Sequence, residues 1–389
     1  MLAFKLAFKN LIGAGLKTWL NVLVLSLSFV IIIFYNSMMD GWDQQAQTDT
    51  IAWEIGQGQL WEKDYDPYDP YTLIDAHAPI SPEMKSQVES DALVPVLITQ
   101  ASVYPQGRMQ NILLKGIPSD QQLLDLPTSA LGTDGDETKA IIGKRMAEAT
   151  KLKEGDKVLL RWRDKNGTFD AREITIANVF DNNVPSIDNG QVWLPLSTLQ
   201  DMTGMQDEAT LLVTGSNYVP VNNENWTFKG HEFLLADLKT IIQSKKGSAA
   251  IMYILLLGIA LLAIFDTQVF SIFRRQKEIG TYIALGMTRS QVVKLFTIEG
   301  GAHSILAAVV GAIYGIPLFI YLKNVGIPIP AASQNAGVPM ASEIIPVYGI
   351  SLILSTILLV VIAATIVSYL PARKIARMNP TEALKGKIQ

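Results

Sequence analysis

Apolar residues gather into four long runs, assigned as spans at 18–40, 247–273, 291–322 and 346–370. Each is long enough to cross a hydrocarbon layer of about 30 Å at ~1.5 Å per helical residue. Trp19 and Trp42 bracket the first run at the depths where aromatic belts sit. That run is too long for a signal-peptide core, and no small-residue cleavage site follows it, so it reads as an uncleaved anchor. Before it, Leu2, Phe4, Leu6, Phe8 and Leu11, with Lys5 and Lys9 one turn apart, predict an interfacial amphipathic helix over 1–17.

Between the first and second runs the period changes. Over 41–246, short alternating stretches and turn residues predict strands at 51–60, 93–104, 110–117, 157–163, 172–180 and 191–195. Ser81-Pro82 opens a helix with proline at its first position. Helices are also predicted at 139–150 and, amphipathic, over 226–243, and Asn166-Gly167 marks a hairpin. The strands around 139–200 form a β-rich, barrel-like insertion. The expected fold class is an α-helical membrane protein with four transmembrane helices. A large α+β extracytoplasmic domain is inserted between the first and second, with an outer loop at 323–345 and a cytoplasmic tail at 371–389.

Charge follows the same division. The net formal charge is −4. Residues 40–248 hold 18 Lys+Arg against 31 Asp+Glu, a balance of −13, and the remainder stands at +9, with its cations beside the apolar runs. An acidic domain on one side of a membrane and positive collars on the other fit this distribution, and a nucleic-acid partner does not. With no cysteine and only His77, His231 and His303, far apart, neither disulfides nor a metal site is expected. Asp64, Asp66, Asp69 and Asp75 lack the glycine and closing glutamate of a calcium loop, so a solvated loop is the reading. Gly143-Lys144 resembles a phosphate loop only superficially. Thr138 stands where the first glycine belongs and Arg145 where Ser or Thr belongs, so no ATPase site is read on this chain. Neither a G-x-S-x-G elbow nor H-E-x-x-H is present, which weighs against a hydrolase.

The stretch between the second and third spans, 274–290, carries the most specific pattern. Arg274, Arg275 and Lys277 place it on the positive, cytoplasmic side. Ile279, Tyr282, Ile283 and Leu285 line one side of a short helix closed by Gly286. Thr288 and Gln291 have capping-box spacing, so the next helix starts at once. From spacing alone, the short helix fits either docking onto a soluble partner or lying on lipid headgroups. Within the spans, Asp266 and Glu299 are intramembrane acids. Gly311 and Gly315 form a GxxxG that serves either a subunit seam or a contact within the four-helix set.

The run R-R-x-K-E-I-G-x-x-x-A-L-G-M at 274–287 resembles the coupling segment of the FtsX/MacB/LolC-E family, permease subunits of ABC transporters. The tail, P-A-R-x-x-A-R-x-x-P-x-E-A-L from Pro371 through Arg373, Arg377, Pro380 and Glu382, is a second match. The outer domain is similar more loosely, through I-I-G-K-R-M-A at 141–147 and D-N-G-x-V-W-L-P-L at 188–196, the latter closer to lipoprotein-releasing permeases. The resemblance implies a mechanotransmitting permease in the bacterial cytoplasmic (inner) membrane, both termini inside. It implies a cytoplasmic ABC ATPase in two copies, which binds the ATP and Mg, and a second permease subunit. Arg274, Arg275 and Lys277 would hold the coupling segment at the membrane; Glu278, Gly280, Ala284 and Gly286 would form its docking surface, with Ile279 and Leu285 also part of the ATPase-coupling stretch. The implied cargo is a lipoprotein, with a periplasmic carrier or adaptor as a further partner. MacB-like efflux and FtsX-like regulation of a cell-wall hydrolase are the alternatives.

Overall fold

The computed structural model describes residues 16–132, 137–221, 223–330 and 339–375. The expected interfacial helix, apart from its last two residues, lies outside these, as do Arg377, Pro380 and Glu382. The chain divides into two compact units, one of residues 43–241 and 328–344 and the other built on the long helices.

Helix α1 (Leu16–Thr50) runs ten residues past its expected end and closes on one π-helical turn, Ile51–Ile55. The strand expected over 51–60 is therefore only β1 (Gly58–Glu62). Hydropathy marks where the apolar run stops, but Gln44, Gln45, Ala46 and Gln47 continue a helix comfortably. There follow β2 (Ala78–Pro79), α2 (Pro82–Glu89), β3 (Leu93–Val103) and β4 (Gln110–Ile117). Next come β5 (Lys139–Gly143), α3 (Lys144–Thr150), β6 (Lys157–Arg163) and β7 (Phe169–Phe180). Then α4 (Pro185–Asp188), β8 (Gln191–Pro195), α5 (Leu196–Thr203), β9 (Glu208–Ala209), β10 (Leu211–Thr214) and β11 (Trp226–Lys229) complete the domain's main elements.

Nine strands join in the order β11-β1-β10-β3-β4-β8-β5-β7-β6, and β3 pairs a second time, with β6. That pairing, Ala101–Val103 against Leu160–Trp162, closes β3, β4, β8, β5, β7 and β6 into a ring, which covers the open edge of β6. Strand β6 shows the required alternation: Val158, Leu160 and Trp162 are buried while Lys157, Leu159, Arg161 and Arg163 face out. Trp162 donates its indole N–H to the carbonyl of Met202 at 2.8 Å, so a large ring is buried without an orphaned donor.

The helix expected over 139–150 is a strand followed by a helix. Ala140, Ile141 and Ile142 are fully buried between β7 and β8, and so short an apolar run carries no period that separates strand from helix. The helix expected over 226–243 is likewise three pieces. β11 pairs with β1, a single turn α6 (His231–Leu234) follows, and α7 (Ala236–Arg274) begins only at Ala236.

In the second unit, α8 (Gln276–Ala284), α9 (Arg289–Val325) and α10 (Ile350–Ile375) follow α7. Helices α1, α7, α9 and α10 are each long and apolar enough to cross a membrane. They meet on Leu25 and Phe29 of α1, Ala260 and Ile264 of α7, Ala307 of α9 and Val360 of α10. The GxxxG glycines face α1: a Cβ on Gly311 would stand 3.3 Å from the Ser26 carbonyl, and one on Gly315 3.0 Å from Val30. That close approach is a contact within the chain, which resolves the seam question in favour of the four-helix set. On the other side of α9, a Cβ on Gly300 would strike the Ser368 hydroxyl.

Gly143 offers a test of the outer unit. A Cβ there would strike the carboxylate of Asp188, which is fully buried and accepts from the backbone N–H of Arg145 at 3.0 Å and its guanidinium at 2.7 Å. Gly143→Ala is expected to cost about 1–3 kcal/mol by overpacking. Gly190→Ala has open space around it and only its left-handed φ of 71° to contend with, so it is expected to cost about 1 kcal/mol. Thermal unfolding of the two variants against the parent checks the order.

Candidate functional site

The turn between α7 and α9 brings together residues that stand well apart in sequence. Helix α7 stops at Arg274 because Arg275 leaves helical geometry (φ −100°, ψ 15°), and α8 starts at the next residue. Its far end is a Schellman closure: the Gly286 N–H donates to Ile283 O at 3.0 Å and the Met287 N–H to Tyr282 O at 2.9 Å, with Gly286 at φ 99°. Thr288 then caps α9 through a reciprocal box with Gln291. The C-terminal end of α8 and the start of α9 are thus fixed by hydrogen bonds that the local sequence supplies.

One face of α8 packs inward. Ile279 joins Ile272, Val292, Phe296 and Ala372 in a cluster drawn from α7, α8, α9 and α10, and Gln276 and Gly280 are buried beside it. The opposite face is open: Arg274, Lys277, Glu278, Ala284, Leu285 and Gly286 are exposed. Leu285 is the extreme case, an 81% exposed leucine held on a capped turn.

Arg275 turns inward. Its Nη1 donates to both oxygens of Glu299, at 3.2 and 3.0 Å, and its Nε donates to Glu278 at 2.8 Å. The guanidinium lies 5.1 Å over the ring of Phe296. The Arg275 and Glu299 side chains are 18% and 6% exposed, so this is a buried pair, whereas Glu278 at 56% is a surface partner worth little by itself. Burial works against the charged guanidinium, but the Glu278 hydrogen bond and the Glu299 charge outweigh it and hold the Arg275 pKa above its usual value. His303, one turn beyond, bonds the Glu299 carbonyl through Nδ1 at 2.8 Å.

These positions correct two sequence expectations. Gly280 and Ile279 face inward, so neither is on the surface available for docking. Arg275 is not a headgroup anchor; it ties the turn to Glu299 in the first third of α9. Arg275 and Glu299 stand 24 residues apart, and no local pattern in the sequence pairs them. The available signal was an acid facing inward on the helix after a cation at the helical break. Asp266 stays apart from this group, exposed on α7 with no partner among the described residues. In the tail motif, Pro371 is buried within α10 and Arg373 is exposed.

Residues 250–380, which contain this whole arrangement, match the family described as FtsX-like permease C-terminal. The macrolide export ATP-binding/permease protein MacB of Bordetella avium is 24% identical over 238 residues, covering 56% of this chain and 34% of MacB. The ABC transporter permease YtrF of Bacillus subtilis is 29% identical over 136 residues, 33% of this chain and 30% of YtrF. An uncharacterised ABC transporter permease of Methanocaldococcus jannaschii is 24% identical over 168 residues, 41% of this chain and 40% of that protein. The chain thus spans between 30% and 40% of the length of these relatives. The crystal structure of the extracellular domain of the noncanonic transporter YknZ from Gram-positive bacteria aligns over 41% of this chain and 83% of that one, at 14% identity and a TM-score of 0.25, and carries no argument. The four membrane helices and the matched region make this a multi-pass membrane protein with an FtsX-like permease domain. The likeness to FtsX-like permeases is confined to residues 250–380, and the relatives it shares that likeness with are named as ABC transporter permeases.

The buried pair makes a sharp energetic prediction. Arg275→Met leaves Glu299 without a cation and is expected to cost about 3–5 kcal/mol. Glu299→Leu is expected to cost less, because Arg275 keeps Glu278, and adding it to Arg275→Met should recover most of the loss. Thermal unfolding of the detergent-solubilised protein measures all three.

Proposed function

We propose that the chain is the permease subunit of an ABC transporter and that the α8 turn is where a cytoplasmic ATPase docks, one per permease copy. The observation that carries this reading is Leu285, 81% exposed in the turn between the Schellman closure of α8 and the capping box of α9. A large apolar side chain held rigidly in the open is what a protein partner would cover. Arg274, Lys277 and Glu278 are exposed toward the other end of α8 and add charge to the same turn. Arg275 and Glu299 then make the turn and α9 move as one piece, so a push on the turn is passed into the helical bundle. In this reading the turn faces the cytoplasm of a bacterial inner membrane with both termini, and the domain over 43–241 is periplasmic. ATP and Mg belong to the ATPase, and a second permease subunit completes a dimer.

For the cargo we propose a lipoprotein or another amphiphile drawn from the membrane's outer side, handed to a periplasmic carrier or adaptor. A second reading, export of hydrophobic compounds, is favoured by the relatives named for macrolide export.

Leu285→Asp touches no core packing and is expected to lower ATP hydrolysis by the assembled complex at least tenfold while leaving membrane insertion intact. Unchanged hydrolysis would remove the turn from the docking surface. Glu278→Lys should act in the same direction, but it also repels Arg275, so Leu285→Asp is the cleaner variant.

A further inference from the structure

The outer unit holds a cavity of about 630 Å³ between the β1–β10–β3 sheet face, the end of the π-turn and α6. That is within the usual range of small-molecule sites, ~300–1,000 Å³. One wall is aromatic: Trp61 meets Tyr65 at 5.1 Å and Phe233 at 5.6 Å between ring centroids, both edge-on. The floor is aliphatic, from Val96, Leu211 and Val213, all buried.

Into this cavity comes Lys115, on β4. The residue is 7% exposed, and among the described residues its ammonium has no hydrogen-bond or ion-pair partner. Its close neighbour is the face of Trp193, 4.9 Å from Nζ to the ring centroid. That ring is itself immobilised, buried and donating its N–H to Ile187 O at 3.1 Å. A buried ammonium with a π-face and no acceptor is under-satisfied: it carries three donors, and burial drives its pKa below the ordinary lysine value, opposed by the charge of Glu54. The carboxylates lining the cavity are in a different position. Glu54 accepts from Ser186 at 2.5 Å, Glu62 from the Asp64 N–H at 2.9 Å, Asp66 from the Tyr68 N–H at 2.9 Å, and Asp237 from the Tyr68 hydroxyl. Each acid already has a donor, so the demand for an acceptor falls on the cations: Lys115, and at the aromatic wall Lys229, whose ammonium lies over the rings of Phe233 at 4.5 Å and Trp61 at 5.8 Å.

We propose that this cavity is a binding site for an anionic amphiphile, with its carboxylate on Lys115 and its aromatic or aliphatic body against Trp61, Tyr65 and Phe233. The site stands on the outer unit alone and does not depend on where the ATPase docks.

The test uses the full chain in phosphatidylcholine nanodiscs, with empty discs as the blank, titrated calorimetrically with 2-naphthoate and with the neutral 2-naphthamide. Naphthoate is expected to bind at least tenfold more tightly. Lys115→Met should abolish that preference while leaving naphthamide binding unchanged, and Trp61→Ala should weaken both. The comparison of the two probes on the parent protein needs no variant, so it stands even if a substitution impairs folding. Equal affinity for the two probes, no binding of either, or full naphthoate affinity in a folded Lys115→Met would overturn the proposal. Repeating the titration with phosphatidylglycerol in the discs identifies the source. Competition marks a lipid headgroup and its absence a freely diffusing carboxylate, and either supports an anion site at Lys115.

Discussion

A carboxylate at Glu299, surrounded by apolar helices, has to find a cation, because an unpaired ion out of water costs several kcal/mol. Arg275 is that cation, and reaching Glu299 dictates the local architecture. The guanidinium turns inward only because α7 breaks at Arg275, and once it breaks the chain re-enters helical geometry at Gln276 in a new direction. That direction lays Ile279 onto Phe296 and Val292 and draws in Ala372 of α10. Phe296 is among the largest fully buried side chains, and it lies directly beneath the guanidinium. One ion pair therefore fixes where α8 points, which of its residues are covered, and which are left in the open. Leu285 is exposed as a consequence of this constraint.

A parallel economy operates in the outer unit. Strands β4 and β8 run parallel with Lys115 opposite Trp193, and the two-residue period of a strand gives each of them two functions. Leu114, Val192 and Leu194 point into the closed ring and fill its core. Lys115 and Trp193, between them, point to the other face, where the cavity lies. The ring thus holds the cavity's cation in register. A slip of one residue would bury lysine in the ring core and turn leucine to the cavity, which is why the register is strongly specified.

What the sequence made legible is what local chemistry decides. The four spans follow from apolar length. The α8–α9 junction follows from Gly286, Thr288 and Gln291, whose hydrogen bonds reach no more than five residues along the chain. Strands β3, β4, β6 and β8 follow from alternation or from apolar runs bounded by turns. The misreadings occur where a segment's state is set from far away. Ala140 to Ile142 is a strand because β7 and β8 flank it, and Trp226 to Lys229 is a strand because β1 offers an edge. The pairing of Arg275 with Glu299 and the isolation of Lys115 belong to the same class. Each residue is visible in the sequence, but its partner, or its lack of one, is a property of the packing.

Asp266 completes the electrostatic argument. It lies eight residues before Arg274 on one continuous helix, about 12 Å inside the end of the span at ~1.5 Å per residue. It shares the exposed side of α7 with Leu255, Ile259, Leu262 and Phe270. An aspartate that deep, facing hydrocarbon, costs roughly 2.5–3.5 kcal/mol on insertion scales. Glu299 shows how this chain meets such a cost internally, by turning the acid inward to an arginine. Asp266 is turned outward and has no partner among the described residues, so water entering from the nearby end of the span, or a polar group outside the described residues, has to satisfy it.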